Sequence, residues 1–125
     1  MSDSLLRQAI RMDATGVGLL GLGAAAFAGP LATLTGLTVG QCYFIAASFL
    51  VYGIVGNILV RCPRVVGIGK GLSAFNFTGT VGAIILVLSP WLPLTGAGKA
   101  IMIACGMYTL VFGVLQYLGA RRASA

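Results

Sequence analysis

Pro30-Leu31-Ala32-Thr33-Leu34-Thr35-Gly36 returns sixty residues later as Pro90-Trp91-Leu92-Pro93-Leu94-Thr95-Gly96. Outward from this pair the echo continues. Leu50-Val51-Tyr52-Gly53 returns as Leu110-Val111-Phe112-Gly113, and Arg61 as Arg121. Aligned without gaps, residues 30–61 and 90–121 share Pro30, Leu34, Thr35, Gly36, Leu50, Val51, Gly53 and Arg61, more than so biased a composition supplies by chance. Each turn lies between two long apolar stretches. The chain is therefore expected to be an all-α membrane protein, a four-transmembrane-helix bundle built from two tandem helical hairpins, residues 11–61 and 71–121. Two spans per unit leave both units in the same orientation, related by a pseudo-two-fold axis along the membrane normal. The first helices of the units align poorly: across Arg11–Gly29 the one identity is Ala14 with Ala74.

Composition leads to the same solvent. Only 8% of the 125 residues are charged, against roughly 25% in a soluble domain, and mean hydropathy is +1.02. So few charges do not make a water-facing surface, and a single lipid-facing domain, residues 1–125, is expected. Gly is abundant, at 19 residues, which suits close helix packing in lipid. Spans are predicted over residues 4–28, 40–60, 69–88 and 97–118. Ser2, Asp3 or Ser4 would cap the first. Gly29-Pro30 would end it, since proline does not continue a helix, and an uncharged loop would run to Val39. Arg61-Cys62-Pro63-Arg64 stops the second span, Ser89-Pro90-Trp91-Leu92-Pro93 the third, and Arg121-Arg122 follows the fourth.

Arg7, Arg11, Arg61, Arg64, Lys70, Arg121 and Arg122 then fall on one side of the membrane and Lys99 on the other. By the bias of Lys and Arg toward the cytoplasm, both termini are expected there, in a multi-pass plasma (inner) membrane protein. Trp91 would anchor the outer interface and Tyr117 the inner one. A competing reading takes Arg7, Arg11, the apolar run and Ala26-Phe27-Ala28 as a cleavable signal peptide. The repeat argues against it, because removal would leave the first hairpin without a helix.

Ser89-Pro90-Trp91, at the end of the third span, resembles the SPW-repeat family of small bacterial membrane proteins, where this triplet closes the first helix of a two-helix unit. The first copy departs from it, reading Gly29-Pro30-Leu31. The four-span layout, with Arg11 leading into the first helix, is also similar to DoxX-like and other four-span bacterial membrane proteins. Neither resemblance implies an activity or carries over a functional residue.

Two stripes of small residues recur at helical spacing. Ala14, Gly18, Gly21, Ala25 and Ala28 mark the first span; Gly67, Gly71, Ala74, Thr78 and Gly82 mark the third. Such stripes permit close backbone approach. They are expected to pack helices within the bundle, or against another copy or another protein.

At 1.5 Å per residue, Asp13, Asn57, Asn76 and Gln116 reach a similar depth near the arginine-rich end, one from each span. They are expected to form a cytoplasmic-side polar layer facing the bundle interior, either as inter-helix glue or as a small site for a ligand, ion or lipid headgroup. Asp13 is expected to pair with a cation from another segment, such as Lys70 or Arg64, with solvation at the interface and proton coupling as the alternatives.

The chain has no histidine, and its only carboxylate side chains are Asp3 and Asp13. No catalytic residue, metal-ligand set or cofactor is expected, because nothing near Ser, Thr or Tyr would activate them. Cys42, Cys62 and Cys105 show no CxxC spacing. The basic residues sit between spans, so nucleic-acid binding is not expected. What remains is a small non-enzymatic polytopic protein: an accessory or scaffold subunit, or a self-associating one, whose partners are membrane lipids and another membrane protein or a second copy. The alternative is a small-molecule or lipid transporter acting as a dimer.

Overall fold

The computed structural model describes residues 2–124, most of them helical and with no strand among them. The elements are α1 (Ser4–Ala26), α2 (Ala28–Thr35), α3 (Val39–Leu59), α4 (Val65–Leu88) and α5 (Gly96–Ser124). Helices α3, α4 and α5 are each long and apolar enough to cross a membrane. Helices α1 and α2 meet that standard only together, and they are bent by 93° at their junction. The protein therefore has three or four candidate spans.

The first helix ends earlier than expected, and the expected loop is a helix. In one straight helix the Pro30 ring would collide with the carbonyl four residues back, at Ala26. Ala26 is the last residue of α1, and Phe27 takes up the bend. Pro30 then becomes the third residue of α2, where a first-turn position needs no backbone donor. The equivalent stretch 89–95 is irregular. Pro93 stands where α2 has Thr33, past the first turn, and there its missing N–H and its ring forbid the helix. Matching sequence thus adopts two conformations.

These two segments are stitched together. The Thr95 N–H donates to the Thr35 carbonyl at 3.0 Å, and the Thr95 hydroxyl donates to the Leu34 carbonyl. Thr95 Oγ1 also accepts from the Gly98 N–H at the start of α5. Gly36 ends α2 with φ +83°, a left-handed conformation costly for any residue with a Cβ, and a Cβ there would also run into the Pro93 carbonyl. Gly36→Ala should cost about 2 kcal/mol from these two causes. Gly96→Ala, with open space around its Cβ position, should cost nothing. Thermal unfolding in detergent reads the difference, and equal midpoints would refute it.

The other helix limits also moved. Helix α4 starts at Val65 rather than residue 69, because Val65 is buried with Leu6, Ile10, Val60 and Ala120. Helix α5 runs past residue 118 to Ser124, with Arg121 and Arg122 in its last turn, where cations suit the helix dipole. Asp3 occupies the cap position of α1 without a side-chain capping bond. Its carboxylate instead accepts from Arg7 Nε at 3.0 Å. Arg7 also donates to the Val60 carbonyl, tying α1 to the end of α3. Thr38 and Gln41 form a complete capping box on α3.

Helix α1 packs along α3, and α4 along α5; α1 against α5 joins the two pairs, while α2 lies on α3 and α5. The first small-residue stripe faces inward. Gly18 meets Gly53, Gly21 meets Ala46, and Ala14 lies against Gly53 and Gly56. Ala28 is buried and Ala25 half-buried. The second stripe does not pack inside the chain. Gly67, Gly71, Ala74 and Thr78 are exposed and Gly82 is half-buried, with open space at the Gly67, Gly71 and Gly82 Cβ positions. Helix α4 buries Val65, Gly69, Ser73, Asn76 and Ala83 instead. Spacing specifies which residues share a face, not which face meets a neighbour.

Candidate functional site

Four helices converge on one carboxylate. Asp13 on α1 is 1% exposed, Asn76 on α4 4%, and Gln116 on α5 0%. Asp13 Oδ2 accepts from the Tyr52 hydroxyl of α3 at 2.5 Å, from Asn76 Nδ2 at 3.0 Å and from Gln116 Nε2 at 2.8 Å. Asn76 Nδ2 also donates to Gln116 Oε1 at 2.8 Å, and so spends both its hydrogens. The Asp13 backbone carbonyl accepts from the Tyr108 hydroxyl of α5 at 3.0 Å. Asp13 Oδ1 is buried with no hydrogen-bond partner among the described residues.

The packing explains why these groups meet. Glycines at 18, 21, 53 and 56 let α1 and α3 approach closely, which turns Tyr52 toward α1. Gly16 leaves room for Tyr108, whose hydroxyl would collide with a Cβ there. Ser73, Asn76 and Thr80, at helical spacing, share a face of α4. Ser73 Oγ donates to the Gly113 carbonyl at 2.7 Å, and Thr80 shares a 2.7 Å hydrogen bond with Thr109. The polar cluster is thus the middle of a seam between α4 and α5.

Asp13, Asn76 and Gln116 come together as a layer; Asn57 does not join them. Its amide donates to its own helix, to the Gly53 carbonyl at 2.8 Å, and the side chain lies in a groove between α1 and α3. Tyr52 takes the place in the layer expected for Asn57. The signal for it was available: a phenol inside an apolar span needs a hydrogen-bond partner. Asp13 pairs with neither Lys70 nor Arg64, which are both exposed. Among the described residues the one salt bridge is Arg7 with Asp3. Two neutral amides and a phenol hold the carboxylate instead, supplying donors without a second charge to desolvate.

The other marked positions lie at the surface. Arg11, Arg61, Arg64, Arg121 and Arg122 are exposed and Arg7 is half-buried. Trp91 is exposed too, as is Tyr117, over whose ring Arg121 lies at 5.9 Å from the centroid. The cysteines are free thiols, and no three metal-ligating side chains gather among the described residues. No family model, curated protein or solved structure matches this chain. Its long apolar helices fit a multi-pass membrane protein, and what it does must be read from the site.

Proposed function

We propose that this chain is a non-enzymatic polytopic membrane protein acting as an accessory or scaffold subunit, or as a self-associating one. The observation that carries the reading is the closure of the polar cluster. Asp13, Asn76 and Gln116 are at most 4% exposed and hydrogen-bond to one another across three helices, so the cluster binds helix to helix instead of receiving a substrate. In this reading α1 and α3 form one hairpin and α4 and α5 the second, as the sixty-residue echo and the pairwise packing support. The arginine-rich ends lie in the cytoplasm with both termini, in the plasma membrane. The exposed stripe of α4 is the face available to another protein or a second copy.

Transport by a dimer is the second reading. Buried, partnerless Asp13 Oδ1 speaks for it, as ionisable groups within spans often mark ion pathways. Purification in mild detergent with mass measurement of the intact assembly, together with a solute-uptake assay in proteoliposomes, separates the two. A constant membrane partner in fixed ratio, or a second copy without uptake of any solute, is the expected result. Recovery as a dimer stabilised by one small solute, with uptake of that solute into proteoliposomes, would overturn the accessory reading.

A further inference from the structure

Along the outside of the α1–α3 pair runs a groove of about 440 Å³. Its floor is the contact of Gly18 with Gly53, where neither helix has a side chain. Leu22, Leu50 and Ile54 wall it, and Asn57 and Arg61 close its end. Thr15 lines it too, and Arg11, one turn earlier, shares that face of α1. Helices α1 and α3 are in register with Ala14 on Gly56 and Gly18 on Gly53. Continued by one turn, this register brings Arg11 level with the start of the Arg61–Arg64 turn. Arg11 and Arg61 are exposed, and neither forms a salt bridge among the described residues.

An apolar channel with two uncompensated guanidinium groups at one end matches one kind of molecule. Guanidinium suits the oxygens of a phosphate, and the glycine floor suits a hydrocarbon chain. We propose that this groove seats one anionic phospholipid, its acyl chain along Gly18 and Gly53 and its phosphate between Arg11 and Arg61. A symmetric second copy fits the face less well, because a two-fold contact in the membrane would bring both arginine pairs to the same end.

The test is retention of lipid by the full chain in detergent, read by native mass spectrometry with dioleoyl phosphatidylglycerol against dioleoyl phosphatidylcholine. The anionic lipid should be retained preferentially. Arg11→Gln or Arg61→Gln should each weaken its binding about five-fold, and the pair about thirty-fold, at roughly 1 kcal/mol per arginine. Arg121→Gln with Arg122→Gln removes the same charge elsewhere and should leave the preference intact. Ile54→Trp should weaken both lipids by obstructing the channel. Unfolding without added lipid verifies that each variant is folded. Equal retention of the two lipids, an equal loss in the Arg121/Arg122 pair, full stabilisation by glycerol phosphate alone, or a dimer cross-linked through this face would overturn the proposal.

Discussion

Asp13→Ala should destabilise the protein by about 2–4 kcal/mol, whereas Asn57→Ala should cost under about 0.5 kcal/mol. Removing the carboxylate takes the acceptor from three donors at once: the Tyr52 hydroxyl, Asn76 Nδ2 and Gln116 Nε2. A buried donor left unpaired costs about 1–3 kcal/mol. Inter-helix hydrogen bonds in membranes average only about 0.6 kcal/mol, because chains unfolded in lipid also find partners. Closure of the cluster puts the expected value between the sums of these two figures. Asn57 loses only a bond to its own helix. Unfolding in mixed micelles of increasing SDS content measures both variants. A cost below about 1 kcal/mol for Asp13→Ala would mean that the carboxylate does not hold the helices together.

Gly53→Leu should be the most damaging substitution on α3. A Cβ at residue 53 would stand 2.8 Å from Gly18 Cα and 2.9 Å from the Ala14 carbonyl. Both neighbours are backbone and do not rotate away, so α1 and α3 must part. Overpacking a core costs about 1–3 kcal/mol. With backbone on the other side, the upper end or loss of folded protein is expected. Separation would also withdraw Tyr52 from Asp13, adding part of the first effect. Gly67→Leu is the control. Nothing lies within 4 Å of its Cβ position, and leucine favours a helix over glycine by a few tenths of a kcal/mol or more, so stability should be unchanged or slightly raised. The same micelle titration reads the pair, and equal costs would sink the assignment of α1–α3 as the glycine-lined contact.

Much of the architecture was legible along the chain. The run from Gly40 to Val60 is apolar enough to be a span wherever it packs, and Thr38 with Gln41 starts it by a local capping box. Pro30 and Pro93 act through equally local rules, yet their consequences needed attention to position within a turn. Proline is harmless at the third residue of α2 and prohibitive at the sixth. Reading the two heptapeptides as equivalent loops overlooked that difference, so the echo in sequence is not an echo in backbone.

The candidate site was half legible, for a geometric reason. Depth in the membrane follows from sequence position at about 1.5 Å per residue, so Asp13, Asn76 and Gln116 could be placed at one level. Rotation about the helix axis does not follow. Tyr52 and Asn57, five residues apart, point about 140° away from each other on a helix of 3.6 residues per turn, so only one can face Asp13. Helix α3 is apolar on every side and offers no polar face to choose between them. The small-residue stripe of α4 was open to the same ambiguity.

The four long helices, their approximate limits and the relative level of Asp13, Asn76 and Gln116 were thus legible in the sequence, while the short helix α2 was not, because propensity and hydropathy act over a few neighbouring residues and the bend at Phe27 depends on where Pro30 falls within a turn. The tertiary structure decided the partners. Gly18 against Gly53 sets how closely α1 and α3 meet, and that contact turns Tyr52 inward and Asn57 out into the groove. In a chain apolar on nearly all faces, rotation is chosen by fit between helices, and fit exists only once they pack.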